Sequence, residues 1–307
     1  MSLPPGGCAP LISVQLCTYN RRRLLAKVLQ ALFDQQLPRS QYEVILVDDG
    51  SDDGTAEEVI SRLQPSCALH VVRQRNAGLA RGRNVGLARA RGKIVLFMDD
   101  DVLATPGLLS AHLRFHRSHS RAICRGAVIN VSSFDALPPP RYSWRNYSGA
   151  YFWTTNVSVP KELLEQVGGF DERFREYGWE DLELGFRLRK VGVRSLLSRD
   201  ALVYHYKPWP RVCDQAALVR QTRAQARTAV QFLRKHPHWR VALATGQLAA
   251  PMRLSALARR VGWTRLLQRL SVLAGEGAQA RSRIGRWAAG RLLRAAYYDE
   301  IAKQDGS

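Results

Sequence analysis

Lys93-Ile-Val-Leu-Phe-Met-Asp-Asp-Asp101 is the stretch that decides the fold. Five apolar residues, Ile94 to Met98, run directly into three carboxylates, Asp99, Asp100 and Asp101. A short, β-rich apolar run of this length reads as a buried strand. Carboxylates crowded at its end repel one another and are costly to desolvate, and a cation offsets that cost. Their hard oxygens suit Mg²⁺ or Mn²⁺, and Mg²⁺ commonly takes one or two carboxylates together with phosphates. The alternative is a solvated Asp-rich turn before a helix opening at Thr105-Pro106.

Outward from this stretch the same design repeats. Leu11 to Leu16 reads as a strand that ends at Cys17-Thr18-Tyr19-Asn20. Glu43 to Val47 reads as a second strand, ending at Asp48-Asp49-Gly50-Ser51, and Leu69 to Arg73 as a third. Between them lie helical patterns over Arg21 to Gln36, Thr55 to Leu63 and Leu79 to Arg91, the first with Leu24, Leu25, Val28, Leu29, Leu32 and Phe33 at helical spacing. Strand and helix alternate four times with short connections, which predicts an α/β fold with a mostly parallel sheet flanked by helices. Right-handed crossovers turn all the strand C-termini toward one edge, where open α/β sheets bind ligands. Thr18-Tyr19, Asp48-Asp49 and Asp99 to Asp101 are therefore expected to meet in one crevice.

Downstream the pattern loosens. Pro106 to His116 reads as helix and Ala122 to Val131 as extended chain. Phe134 to Tyr151 is a long irregular stretch rich in Pro and aromatics, suited either to stacking on a sugar or to plain hydrophobic packing. A helix over Leu163 to Val167 breaks at Gly168-Gly169, and another begins near Glu180 with Leu182, Gly185, Phe186 and Leu188 inward. Acidic residues are favourable at a helix N-terminus on structural grounds alone, and that reading of Glu180-Asp181 stands beside a functional one.

The 307 residues, 46% hydrophobic, suffice for one large domain or two smaller ones. Five scattered cysteines without CxxC spacing argue against a zinc site or a disulfide framework and fit a reducing cytoplasm. No signal peptide is read at the N-terminus, and no apolar run approaches the length of a membrane span. The net charge of +20 is uneven: Pro208 to Ser307 holds 18 Lys and Arg against 5 Asp and Glu. A division into residues 1–207 and a basic helical region 208–307 follows, the second inviting an anionic partner, membrane surface or nucleic acid. Its helical patterns, Ala216 to Lys235, Met252 to Leu273 and Ile284 to Arg294, set leucines among arginines, as interfacial helices do. The competing reading lays the leucine face on the rest of the protein. Membrane association implies a peripheral protein on the inner face of the cell membrane.

Several segments together resemble the family 2 glycosyltransferases, which have the GT-A fold. They are Thr18-Tyr19-Asn20-Arg21, Val47-Asp48-Asp49-Gly50-Ser51 with Asp53-Gly54-Thr55, Asn76-Ala77-Gly78 leading to Arg83-Asn84-Val85-Gly86, and Phe97-Met98-Asp99-Asp100-Asp101 as the DxD element. Gly168-Gly169-Phe170-Asp171-Glu172 before Trp179-Glu180-Asp181, the ED element, completes the order. The resemblance covers Leu11 to Lys207 and implies an inverting, metal-dependent transfer from a nucleotide sugar. It implies that Tyr19 and Asp48 or Asp49 bind the nucleotide base, with Thr18 a further substrate-binding residue and Arg83 either facing the crevice or lying on the surface. It implies that Asp99 and Asp101 hold Mn²⁺ or Mg²⁺ at the donor phosphates, with Asp101 the direct contact and Asp100 a ligand only if the register shifts by one, and with His205 a further metal contact or a structural residue. Asp181 becomes the base that takes the acceptor proton, with Glu180, Trp179 and Asn156 lining the acceptor side.

The segment Thr154 to Val159 with Gly169-Phe170-Asp171-Glu172 also looks like a galactosyltransferase-type C-terminal segment, which turns the expected donor toward a UDP-hexose. The Gln-x-x-Arg-Trp element of processive synthases is not found after Asp181, so transfer of single sugars is expected, to a sugar or lipid-linked acceptor. A sugar-phosphate nucleotidyltransferase would need a Gly-rich basic loop after the first strand, and Cys17-Thr18-Tyr19-Asn20-Arg21 is not one. A basic nucleic-acid-binding protein has no use for carboxylates at two strand ends, where they repel phosphate.

Overall fold

The computed structural model describes residues 9–139, 143, 146–207, 215–260 and 283–305. By contacts the chain divides into two compact units, one of Met1–Arg175 with Glu180–Pro208, the other of Glu176–Trp179 with Trp209–Ser307.

The first unit is built on one eight-stranded sheet. Its strands are β1 (Ile12–Thr18), β2 (Tyr42–Asp48), β3 (Ala68–Arg73), β4 (Ile94–Asp99), β5 (Val102–Ala104), β6 (Ala122–Val131), β7 (Asn156–Pro160) and β8 (Arg194–Tyr206), in the order β3-β2-β1-β4-β7-β6-β8-β5. The first four are mutually parallel, as the alternating pattern predicts. The second half is mixed: β7 is antiparallel to β4 and β6, β8 is parallel to β6, and β5 is antiparallel to β8. Helices α1 (Arg22–Phe33), α2 (Leu79–Arg89), α3 (Leu108–Ser118), α4 (Lys161–Gln166) and α5 (Glu180–Lys190) complete the unit. The expected helix at Thr55 to Leu63 is instead a π turn, Thr55–Val59, followed by a 3₁₀ turn, Ile60–Arg62.

The apolar strand residues split between two core clusters because side chains alternate across a sheet. Val14, Leu16, Val44, Leu46, Leu96 and Met98 meet α1 and α3 residues such as Leu29 and Leu109. Ile45, Val47, Val95 and Phe97 meet Leu87, Phe170 and Leu184 in the other. Phe97, Phe152 and Phe170 pack edge to face there. In the irregular stretch Phe134 to Tyr151, Phe134, Tyr147 and Tyr151 pack against core clusters, so packing describes the aromatics visible there. Residues 140–142 and 144–145 of it lie outside the described residues.

The second unit contains α6 (Gln215–Lys235), α7 (Trp239–Ala244), α8 (Ala249–Arg260) and α9 (Arg283–Asp305). Ala226, Val230 and Ile301 form its core, with Met252, Tyr297 and Tyr298 against them. Arg227 ties it together through Glu176 at 2.6 Å and Glu300 at 2.8 Å. Of the pattern Met252 to Leu273, residues 252–260 lie in α8, and 261–273 fall outside the described residues. No described helix is long and apolar enough to cross a membrane.

Candidate active site

The parallel register sets the strand ends side by side: Thr18 lies opposite Asp48, and Cys17 opposite Asp99. Asp48 and Asp49 then divide the work between them. Asp49 spends both oxygens on the chain: Oδ1 accepts from Gln74 Nε2 (2.6 Å) and Ala77 N (3.0 Å), and Oδ2 from Gly78 N (3.0 Å). It thereby shapes the Asn76-Ala77-Gly78 turn. Only glycine fits at Gly78, where φ is +89° and a Cβ would lie 2.5 Å from the Arg175 carbonyl oxygen. Asp48, fully buried, accepts from Ser51 N at 2.9 Å with Oδ1, and its Oδ2 has no hydrogen-bond partner in the protein, with Arg73 Nε at 3.5 Å. Thr18 is buried and Tyr19 exposed. Asn20 follows in the left-handed region (φ +54°), bonding Asp52 through both ends of its amide.

The three carboxylates at the end of β4, Asp99 to Asp101, point to different partners. Asp99 Oδ2 accepts from Thr155 Oγ1 at 2.7 Å, and Oδ1 lies 3.6 Å from Arg83 Nη2. Asp100 is buried with Arg21 Nε 3.5 Å away, and burial pushes its carboxyl up to about 7. Asp101 faces His205: antiparallel pairing sets Val102 opposite His205, and Tyr206 N donates to the Asp101 carbonyl. Asp101 Oδ1 is then 3.5 Å from His205 Nε2, and Arg21 Nη2 is 3.6 Å from Oδ2. Burial, and then the Asp99 charge, raise the Asp101 pKa above the ordinary carboxylate value.

His205 Nδ1 lies 3.1 Å from Asn130 Oδ1, which leaves Nε2 on the Asp101 side. Such a second partner orients a metal-binding imidazole. Oxygen and imidazole donors facing each other beyond hydrogen-bond length suit a shared Mn²⁺ or Mg²⁺. Among the described residues no three His, Cys, Asp or Glu side chains come together as a metal site; Asp101 and His205 offer two donors, and an ion held by them would take its other ligands from substrate phosphate and water.

Arg83 is not a surface residue. It is buried on α2, with Nη1 2.6 Å from Glu180 Oε1, Nη2 2.8 Å from Thr154 Oγ1, and its guanidinium over the Phe170 ring at 5.5 Å. Burial opposes its charge, yet Glu180 and Asp99 hold its pKa above the usual arginine value. One guanidinium thus connects the carboxylate that ends β4 with the acidic start of α5. The neighbouring Asn84 clamps the glycine break, accepting from Phe170 N (2.8 Å) and donating to Phe170 O (2.9 Å).

Glu180 and Asp181 open α5 and are both buried. Burial and the Glu180 charge push the Asp181 carboxyl up to about 7, while Arg83 and the Leu182 N–H, donating at 2.7 Å, pull it down. A carboxyl poised near neutrality at a helix N-terminus can exchange a proton at working pH. Glu180 Oε2 is buried without a hydrogen-bond partner in the protein.

Two residues expected on the acceptor side have partners of their own within the protein. Asn156 is buried in the sheet and fully used: Nδ2 donates to Ala127 O (3.2 Å) and Ala201 O (3.0 Å), so Oδ1 accepts from His112 Nε2 (3.0 Å). Burial pushes the His112 pKa down to about 3, and the neutral ring accepts at Nδ1 from Ser158 Oγ (2.8 Å). Asn156 is therefore a core residue, because its first position in β7 turns its amide toward the β6 and β8 carbonyls. Trp179 belongs with the helical unit: Nε1 donates to Gln225 O (2.9 Å) and the ring is 6.5 Å from Phe232. Its φ of +70° is a strained value for a bulky residue, and such strain gathers at functional sites. Sequence reading missed Thr154, Thr155, Arg21 and Asn130 as site residues. Arg21 and the threonines stood inside recognised segments, and nothing local marks Asn130.

Residues 13–174 match the family model described as glycosyl transferase family 2. The validoxylamine A glucosyltransferase of Streptomyces hygroscopicus subsp. jinggangensis (strain 5008) is 30% identical over 230 residues, 62% of this chain and 54% of that protein. Chondroitin synthase of Escherichia coli is 26% identical over 240 residues, 64% of this chain and 35% of its own length. The chain thus spans about half or less of the length of these curated relatives. Among solved structures, the mannosyltransferase PcManGT of Pyrobaculum calidifontis in complex with GDP-Man and Mn²⁺ superposes with a TM-score of 0.64 at 20% identity, over 97% of this chain and 87% of that one. S. aureus TarS 1-349 with UDP-GlcNAc superposes at 0.57 and 18% identity, over 96% and 92%. These likenesses establish the GT-A fold.

Proposed function

The chain belongs to glycosyl transferase family 2, and from that premise we propose that it moves a single hexose from a nucleotide sugar, read as UDP-linked, to an acceptor hydroxyl with inversion at the anomeric carbon. The observation that carries this reading is Asp181, a buried carboxyl near neutrality at the start of α5, joined through Glu180 and Arg83 to Asp99. Asp181 takes the proton of the attacking hydroxyl, which makes the oxygen nucleophilic as it reaches the anomeric carbon. Glu180 offers its unpaired Oε2 to the acceptor and Oε1 to Arg83. Arg83 holds the two carboxylates in place and lowers the cost of their burial.

Asp48 receives the nucleotide base through its Oδ2, which is buried and has no hydrogen-bond partner in the protein, beside Thr18 and Tyr19, while Asp49 holds the turn behind it. Asp101 and His205, with Asp99 close by, would hold a divalent ion, Mn²⁺ or Mg²⁺, which when bound neutralises charge developing on the leaving diphosphate. The mannosyltransferase complex with GDP-Man and Mn²⁺ supports both the nucleotide sugar and the ion. The basic region 208–307 suits a chain lying peripherally on an anionic membrane, with a lipid-linked acceptor in the building of envelope polysaccharide or glycolipid.

Donor binding and slow donor hydrolysis, measured across UDP-, GDP- and dTDP-sugars with Mn²⁺ or EDTA, test the proposal. Metal-dependent binding of one donor class is expected, lost in Asp101→Ala, with transfer but not binding lost in Asp181→Asn. Binding indifferent to metal and to Asp101 would overturn it.

A further inference from the structure

Among the described residues, several large apolar side chains of the helical unit stand in water. Trp239 is 63% exposed and Leu243, one turn on along α7, 57%. On α8, Leu254 is 67% and Leu257 57% exposed. The inward side of α8 is already defined, because Met252 packs on the core of Ala226, Val230 and Ile301. At about 100° per residue, Leu254 and Leu257 lie roughly 200° and 140° around the helix from Met252, on the opposite side. The leucines therefore do not serve this unit's core. Arginines stand among them: Arg253 is exposed beside Leu254, and the Arg240 guanidinium lies 5.1 Å from the centre of the Trp239 ring.

Charge selects the occupant. A second copy of this surface would set arginine against arginine. The chain's own residues 261–282 carry Arg265, Arg269 and Arg281 against Glu276 alone, and would bring like charge as well. Nucleic acid would satisfy the arginines and leave the leucines in water. An anionic bilayer takes both: leucines and the indole enter the boundary of the acyl region, and the guanidiniums meet headgroup phosphates.

We propose that α7 and α8 form the face by which the chain lies on an anionic lipid bilayer, with Trp239, Leu243, Leu254 and Leu257 inserted and Arg240 and Arg253 at the headgroups. This assigns residues to the membrane association proposed above and rests on that reading.

Flotation of the full chain with extruded vesicles tests it, using phosphatidylcholine alone against equal parts phosphatidylcholine and phosphatidylglycerol. Wild type should float with the anionic vesicles and poorly with the neutral ones, and added salt should weaken the association. Leu254→Ser/Leu257→Ser should lower the partition coefficient by about tenfold or more, since burial of two leucine side chains is removed. Arg240→Gln/Arg253→Gln should reduce the preference for anionic vesicles. All these side chains are exposed, so the circular dichroism of each variant should match wild type. Equal flotation of wild type and the leucine variant overturns the proposal. So does a dimer in solution that the same variant dissociates, which gives the face to a second copy. Donor hydrolysis measured in parallel separates the two readings: a chain that hydrolyses donor and does not float overturns the membrane face and leaves the transferase chemistry standing.

Discussion

Replacing Arg83 by Met should expose how much of this protein depends on one buried cation. The side chains of Arg83 and Glu180 are each 6% exposed and meet at 2.6 Å. Asp99 lies at 3.6 Å, and Thr154 and Phe170 complete the guanidinium's contacts. Methionine keeps much of the apolar stem and leaves Glu180 buried without its counter-charge, a loss of about 3–5 kcal/mol. With a urea dependence of about 3 kcal/mol per molar, that moves the unfolding midpoint down by more than about 1 M. Glu180→Gln in the Arg83→Met background removes the unpaired charge and should restore about 2–3 kcal/mol. Recovery stays incomplete, because the Thr154 hydrogen bond and the stacking on Phe170 remain lost, together about 1–2 kcal/mol. Urea unfolding followed by far-ultraviolet circular dichroism on wild type, both single variants and the double variant closes the cycle. A cost below about 1 kcal/mol for Arg83→Met, or strictly additive single variants, would refute the reasoning, since neither is compatible with a desolvated ion pair.

Transfer under single-turnover conditions should rise with pH, about tenfold per unit below neutrality and level above it, because the Asp181 carboxyl at about 7 must lose its proton before it can accept one. A flat profile would remove Asp181 as the base. Asp181→Asn should lower the rate by about 10²–10⁴-fold while donor affinity stays within error. Asn156→Ala should cost at least about 3 kcal/mol in unfolding and leave KM unchanged, since it strands two buried carbonyls and a His112 nitrogen. A raised acceptor KM with native stability would instead return Asn156 to the acceptor site. Asp48→Asn should weaken nucleotide binding in calorimetry with little change in stability, whereas Asp49→Ala should destabilise the protein by about 2–3 kcal/mol, having lost three hydrogen bonds.

Most strands and helices, and the sheet edge where the carboxylates gather, were legible because each rests on short-range pattern; Thr55 to Leu63, expected as a helix, is a π turn and a 3₁₀ turn. Ile94 to Met98 is apolar and ends in charge, and β4 ends at Asp99. The spacing over Arg21 to Gln36 anticipates α1, whose buried residues Leu25, Val28, Leu29, Leu32 and Phe33 are five of the six the periodicity selects, Leu24 being half-buried. The mixed half of the sheet was less legible. Val102 to Ala104 is too short to announce itself, and the direction of β7 follows from what lies beside it rather than from its own residues.

Composition, hydrophobic period and carboxylates at strand ends thus determine by themselves an α/β sheet with a charged C-terminal edge and a basic helical region. Those features depend on residues within a turn or a strand of one another. Partner choice was decided only in three dimensions. Arg83 finds Glu180 across 97 positions, Asp101 reaches His205 through the pairing of β5 with β8, and Asn156 turns its amide into the sheet. Tertiary structure also turned Leu254 and Leu257 outward. An amphipathic period marks two sides of a helix, but only packing decides which of them meets the core.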